Sequence, residues 1–279
     1  MEKKKTLQEA IEWLKTDESI KDQIVHWHTI PEKEAKTAPF PKTLHPLLKE
    51  GLQKRGIDRL YTHQLAAYEK ARNGESFVVV TPTASGKTLC YNLPVLESIL
   101  SDSSSRALYL FPTKALSQDQ KSELNEMIME IGADINSYTY DGDTPSGIRQ
   151  KIRKAGHIVI TNPDMLHSGI LPHHTKWVSL FENLKFVIID ELHIYRGVFG
   201  SHVANVIRRL KRICRFYGSD PVFICTSATI ANPKELAQAI CETPMALIDN
   251  NGAPSGKKHF VFYNPPVVNK PLNIRRSAL

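Results

Sequence analysis

TPTASGKTLCYNLPV, residues 81–95, decides how the chain is read, because it follows at once on the apolar run SFVVV (76–80) and leads into helical spacing. Gly86, Lys87 and Thr88 supply the Gly-Lys-Ser/Thr end of a phosphate-holding loop, but Thr81 stands where such loops carry their first glycine. A bare Gly-Lys-Thr arises easily by accident. Its setting strengthens it: a strand that reads as buried, a short loop, then Leu89, Leu93 and Leu96 at helical spacing. That order turns successive backbone N–H groups and the positive end of a helix toward one point, where phosphate oxygens can be held. Thr83, Ala84, Ser85, Gly86, Lys87 and Thr88 are then the cradle, with Lys87 on the outer phosphates and Thr88 on Mg²⁺.

A second apolar run, KFVIIDELH (185–193), ends in Asp190 and Glu191. The strand order of a P-loop fold would bring both carboxylates beside the loop, Asp190 in the Mg²⁺ shell and Glu191 polarising the attacking water. Were they merely exposed turn carboxylates, two independent coincidences would be needed.

Seven short runs rich in Val, Ile, Phe and Tyr (76–80, 106–111, 135–140, 157–161, 186–190, 221–226 and 245–249) alternate in the main with helical patterns such as KALSQDQKSELNEMIMEIG and GSHVANVIRRLKRICRFYG. This is the α/β pattern of a mainly parallel central sheet flanked by helices. Several runs are apolar at consecutive positions, as strands covered on both faces should be. Residues 1–55 read as a helical extension, 56–263 as the nucleotide-binding domain, and the Pro-rich 264–279 as a linker.

With 41% hydrophobic residues the chain can bury a real core, and its net charge of +7 tilts it mildly toward polyanions. Cys90, Cys214, Cys225 and Cys241 are scattered without a C-x-x-C pair, so no structural zinc site is expected. The histidines His26, His28, His173 and His174 lack a third-ligand spacing. No export signal or membrane span is read, which places the chain in the cytoplasm. Trp13, Trp27 and Trp177 could stack on bases, although burial is the commoner fate of tryptophan. Arg208, Arg209, Lys211, Arg212 and Arg215 form a basic stripe opposite an apolar one, which reads first as the wet side of a packed helix, with DNA contact as the alternative.

TPTASGKT, DELH and TSAT (226–229) together resemble motifs I, II and III of the superfamily 2 helicases, DExH branch. In that family the first loop glycine is commonly Ala or Thr, which accounts for Thr81; Ala84 replaces a frequent glycine and makes the loop less permissive. LYTHQ (60–64) resembles the Q motif, so Gln64 is similar to the adenine-reading residue. FPTKALSQDQ (111–120), DGDTP (141–145) and TNPDML (161–166) resemble the loops that grip a nucleic-acid strand. They make Thr113, Lys114, Gly142, Thr161, Asn162 and Asp164 the contact candidates, although Asn162-Pro163 is also a good helix start. The superfamily resemblance covers about residues 40–265, and within it TPTASGKTLCYNLPVL, DELHIYRGVFGSHVANVIRRLKRIC and NPDMLHSGILPHHTKW resemble the bacterial repair helicases typified by mitomycin repair factor A, relatives of the RecQ-like Hrq group.

The resemblance implies the first RecA-like lobe of an ATP- and Mg²⁺-dependent DNA helicase, usually of 3′ to 5′ polarity, acting in DNA repair. It implies coupling of the ATP site to strand movement through His193, Ser227 and Thr229. Single-stranded DNA or a single-strand/duplex junction would be the partner. A second RecA-like lobe, whose Q-x-x-G-R-x-G-R segment is not found here, and a cysteine-rich C-terminal domain would be supplied by a longer chain. Alone, this chain is expected to hold ATP weakly, hydrolyse it very slowly and unwind nothing. Two alternatives stay open: an RNA helicase lobe, and a nucleotide-dependent binding module without productive turnover.

Overall fold

The computed structural model describes residues 6–269, 271–272 and 274–275. Their contacts group into two units, Ala35–Ala253 and a smaller one made of the chain up to Glu34 and from Pro254 onward. The boundaries read from the sequence, after 55 and after 263, fall elsewhere. Helix Pro46–Lys54 buries Leu48 and Leu52 in the core of the larger unit, while Lys258–Tyr263 pairs antiparallel with Ile24–Ile30 in the smaller. Residues 270, 273 and 276–279 of the expected linker lie outside the described residues.

The larger unit is built on seven parallel strands: β1 (Phe77–Val80), β2 (Arg106–Leu110), β3 (Ser137–Thr139), β4 (Ile158–Thr161), β5 (Leu184–Ile189), β6 (Val222–Ser227) and β7 (Ala246–Ile248). Across the sheet they run β7-β1-β6-β5-β2-β4-β3. Each of the seven apolar runs forms one of these strands. Alternate residues feed opposite cores: Phe77, Val79, Ile188 and Ile224 lie on one face, Val78, Val80, Ile189 and Phe223 on the other. Burial on both faces is why these strands read as continuous apolar runs rather than alternating ones.

Helices cover the two faces. They include α1 (Thr62–Arg72), α2 (Lys87–Ser101), α3 (Lys114–Ile131), α4 (Ser146–Ala155), α5 (Gly197–Phe216) and α6 (Pro233–Cys241). Apolar residues of α5 at three- and four-residue spacing, Val203, Ile207, Leu210 and Cys214, are buried against the sheet. Trp177 is fully buried and packs edge-on against Tyr140 at 4.8 Å. Burial, not stacking on a base, is the fate of that tryptophan.

In the smaller unit, Thr6 and Glu9 form a capping box at the start of helix Leu7–Thr16. Trp27 Nε1–H donates to His259 Nδ1 at 3.1 Å across the strand pair. The helix was expected from the sequence; strand Ile24–Ile30 was not. Among the described residues no helix is long and apolar enough to cross a membrane.

What matters for function is the register. Val80 pairs with Ser227, Cys225 with Ile189, Ile189 with Leu110 and Leu110 with Thr161, so five strands end together at one edge. The loops leaving that edge carry the residues singled out by sequence. The carboxyl ends of parallel strands are where open α/β sheets take ligands.

Candidate nucleotide site and nucleic-acid face

The loop from Thr81 to Gly86 turns the chain from β1 into α2 with two left-handed residues, Ala84 (φ 59°) and Gly86 (φ 76°). Thr81 needs no such conformation. Its hydroxyl shares a 2.6 Å hydrogen bond with Ser85 Oγ, so the side chain braces the loop where a glycine would leave it slack. The backbone strain falls instead on Ala84, where an L-residue in the left-handed region costs about 1–2 kcal/mol. Gly86 is constrained twice, by its φ and because a Cβ there would stand 2.6 Å from Gln64 Nε2.

Lys87 Nζ lies inside the turn, donating to the Thr81 carbonyl at 2.8 Å and the Pro82 carbonyl at 3.4 Å. The Thr88 hydroxyl donates to Gln120 Oε1 at 3.2 Å, and the buried Tyr91 hydroxyl donates to the same oxygen at 2.8 Å. Gln120 closes the sequence stretch FPTKALSQDQ but was not among the residues singled out. It binds here because α3 brings it against the first turns of α2.

Asp190 and Glu191 reach the same place. Strand β6 separates β1 from β5, and Thr226 of β6 donates its hydroxyl to Asp190 Oδ1. Asp190 also accepts from the Glu191 backbone N–H at 2.9 Å. Burial pushes the Asp190 carboxyl above its ordinary range, and the Thr226 hydrogen bond opposes that shift. Glu191 itself is held at φ 52°, a conformation costly for a side-chain-bearing residue. Lys87, Thr88, Asp190 and Glu191 all line one cavity of about 180 Å³, together with Gln120 and Ala228.

His193 Nδ1 lies 3.1 Å from Glu191 Oε2 and 3.3 Å from the Ala228 backbone nitrogen. A single ring nitrogen cannot serve both: protonated it donates to Glu191, unprotonated it accepts from Ala228 N–H. The bond to the TSAT segment therefore comes from the Ala228 backbone, between the two hydroxyl residues singled out by sequence. Ser227 is buried and donates to the Ala228 carbonyl at 2.8 Å, whereas Thr229 is exposed.

On the other side of the loop, Gln64 Oε1 accepts from Tyr61 N–H at 2.9 Å and its Nε2 donates to the Gly86 carbonyl at 3.0 Å. His63 Nδ1 accepts from Gly252 N–H at 3.2 Å, which leaves Nε2–H to donate to the Ser85 carbonyl at 3.1 Å. Burial lowers the affinity of this imidazole for a second proton. Gln64 and Gly86 open onto a cavity of about 490 Å³ that also takes in Tyr61, Arg59 and Asn92.

Residues 61–236 match the DEAD/DEAH box helicase family. The chain belongs to that family. It is 73% identical over 276 residues to the uncharacterized ATP-dependent helicase YprA of Bacillus subtilis (strain 168), covering 99% of this chain and 36% of YprA. To the ATP-dependent helicase HRQ1 of Saccharomyces cerevisiae it is 41% identical over 268 residues, 94% of this chain and 25% of HRQ1. The crystal structure of the DUF1998 helicase MrfA bound to DNA and AMPPNP superposes with a TM-score of 0.93 at 72% identity, over 98% of this chain and 38% of that one. The fold is thus that of a RecA-like helicase lobe, and the chain spans little more than a third of these relatives at most.

The DEAD/DEAH box lobe carries its six strand-contact candidates in or beside three loops. Thr113 caps α3, accepting from Leu116 N–H at 3.3 Å, and Lys114 meets Asp143 at 2.6 Å on the open surface. Gly142 lies in that second loop with open space where a Cβ would stand. Asn162 Oδ1 caps the next turn by accepting from Met165 N–H at 2.8 Å, and Asp164 is exposed. Thr161 differs: it is 1% exposed and its hydroxyl donates to the Tyr140 carbonyl at 2.6 Å, so its side chain braces the sheet.

Proposed function

We propose that this chain is the ATP-binding lobe of an ATP-dependent DNA helicase of 3′ to 5′ polarity that acts in DNA repair. Lys87, Thr88, Asp190 and Glu191 are its hydrolytic set. The observation that carries this is their convergence: Lys87 and Thr88 at the start of α2, and Asp190 and Glu191 just after β5, line one cavity. DNA as the track is supported by MrfA, solved with DNA and AMPPNP. Repair and polarity are supported by the likeness to the mitomycin-repair group.

The donor set fits a triphosphate with Mg²⁺. Two left-handed residues turn the loop's backbone around the lysine, and a hydroxyl and a carboxylate face the same cavity. When bound, ATP·Mg²⁺ supplies the phosphoanhydride to be cleaved and the charge that neutralises it. Lys87 exchanges two loop carbonyls for phosphate oxygens, replacing neutral acceptors by charged ones. Thr88 and Asp190 would hold the cation, and the Thr226 hydrogen bond favours the charged form of Asp190 against its burial. Glu191 orients and deprotonates water. His193 moves its Nδ1 bond between Glu191 and Ala228, which ties the state of the base to the TSAT segment of Ser227 and Thr229. Gln64 reads adenine from the wider cavity while fixing Gly86.

Thr113, Lys114, Gly142, Asn162 and Asp164 grip the backbone of one strand, and Thr161 holds their loop to the sheet. A second lobe of the full-length protein supplies the arginine that completes the site, so this chain alone hydrolyses ATP slowly and does not unwind. The protein works in the cytoplasm, where its four free, buried cysteines stay thiols. The test is ATP hydrolysis by the full-length protein with single-stranded DNA and RNA of one sequence at one salt concentration. DNA should stimulate several-fold more than RNA; equal or stronger stimulation by RNA contradicts the proposal.

A further inference from the structure

The basic run along α5 divides in the structure. Arg208 Nε donates to Glu242 Oε1 at 2.6 Å, and Lys211 Nζ donates to the carbonyls of Cys241 and Glu242 at 2.9 and 2.7 Å, so both are tied to the end of α6. Arg209 and Arg212, with the tied Arg208 beside them, line a groove of about 660 Å³ whose far wall includes Pro163, Asp164 and His167. The groove continues into a concavity of about 350 Å³, where the same two arginines meet Leu171, His174 and Phe216. Among the described residues, neither arginine has a hydrogen-bond or ion-pair partner.

The walls have a regular chemistry. Phe199, His202, Val206, Arg209, Ile213 and Phe216 alternate at three and four residues along α5 and so form one stripe. At 1.5 Å per residue that stripe is about 26 Å long. Opposite it, Asp164, His167, Leu171 and His174 repeat the same spacing. Rings are presented rather than buried: Phe216 is 76% exposed and Phe199 40%. Asp164 is the one acid among the residues that line the two concavities.

We infer that this groove is a second contact for single-stranded nucleic acid, with Arg209 and Arg212 on backbone phosphates and the exposed rings of Phe199 and Phe216 under bases. A strand presents a charged oxygen cluster and a flat ring at each nucleotide, and the groove presents two planar guanidiniums set between two exposed aromatic rings. An apolar partner helix would cover the phenylalanines and leave both guanidiniums unpaired. The groove also begins at Pro163 and Asp164, directly after Asn162, so it adjoins one of the loops proposed to grip the strand. This rests on the proposed strand-gripping face for the direction of approach only.

The test uses the full-length protein with fluorescent single-stranded DNA of two lengths, about 6 nucleotides to cover the loops alone and about 16 to reach through the groove. Arg209→Glu/Arg212→Glu reverses the charge, and Arg209→Gln/Arg212→Gln is the milder pair should reversal disturb α5. Binding of an ATP analogue, whose cavity neither residue lines, checks the fold of each variant. The longer strand should bind about tenfold more weakly to the reversed variant, and for the neutral pair the slope of log affinity against log salt should fall by about 1.4, two phosphates at about 0.7 each. The short strand should bind both as before. Unchanged long-strand affinity and slope in folded variants overturn the inference, as does a loss confined to binding of another protein. Lys114→Ala is the separate control: if it leaves short-strand binding intact the gripping face is wrong, whatever the arginine pairs do.

Discussion

Replacing Thr226 by valine is the sharpest perturbation of the carboxylate site, because it keeps the shape of a fully buried side chain and deletes one hydroxyl. Asp190 is 7% exposed, and its Oδ1 accepts from Thr226 and from Glu191 N–H. Burial raises the native affinity of Asp190 for its proton above the ordinary value of 3.8, against the pull of the Thr226 bond. The native state therefore holds this proton more tightly than the unfolded chain does. Its contribution to stability is fully present below pH 3.8 and is lost as pH rises through the native value, so at neutral pH the buried charge is carried at a cost. A hydrogen bond to a charged group contributes about 1.5–3 kcal/mol, and Thr226→Val should remove that amount at pH 8. In a chain of this size that is roughly 3–12 °C in Tm. On acidification the difference should shrink toward the roughly 0.5–1.5 kcal/mol of a neutral hydrogen bond. Urea unfolding of the purified chain across pH 5–8, followed by circular dichroism, measures both. A loss under about 0.5 kcal/mol at pH 8, or one that grows on acidification, would refute the charge-supporting role assigned to Thr226.

Gly86→Ala forces an alanine to a φ of 76° with its Cβ against Gln64 Nε2. It should cost at least about 1–2 kcal/mol in thermal unfolding and weaken ATP-analogue binding. Gln120→Leu removes the acceptor shared by Thr88 and Tyr91 and leaves the Tyr91 hydroxyl buried without its bond, for about 1–3 kcal/mol in the same measurement. Lys114→Ala breaks an exposed pair with Asp143, so Tm should hardly move while the salt slope of single-strand binding falls by about 0.7.

The sheet was legible because its strands are buried on both faces, so that SFVVV or KFVIID announces itself without a partner in view. Lys87, Asp190 and Glu191 were legible for a related reason: each ends or follows such a run, and parallel strands in register deliver their ends to one edge. The braces were not legible. Thr226 acts because β6 lies between β1 and β5, Gln120 because α3 brings it against the first turns of α2, and His63 because Gly252 donates to it from far along the chain. No local pattern encodes those juxtapositions. Thr161 misled in the opposite sense, since its place in a contact motif hides a side chain turned inward to Tyr140. Strand Ile24–Ile30 escaped because both of its faces are largely exposed and its partner is Lys258–Tyr263. The basic stripe of α5 looked uniform in sequence, and only α6 distinguishes Arg208 and Lys211 from Arg209 and Arg212.

The convergence of Lys87 with Asp190 and Glu191 on one triphosphate is tested most directly by measuring ATP-analogue affinity and hydrolysis together in full-length Lys87→Ala and Glu191→Gln. The lysine variant should lose affinity and turnover alike, whereas the glutamine variant should bind as before and turn over about 10²–10⁴-fold more slowly, the range for a lost general base. Turnover undiminished in Glu191→Gln, or affinity undiminished in Lys87→Ala, would contradict the account.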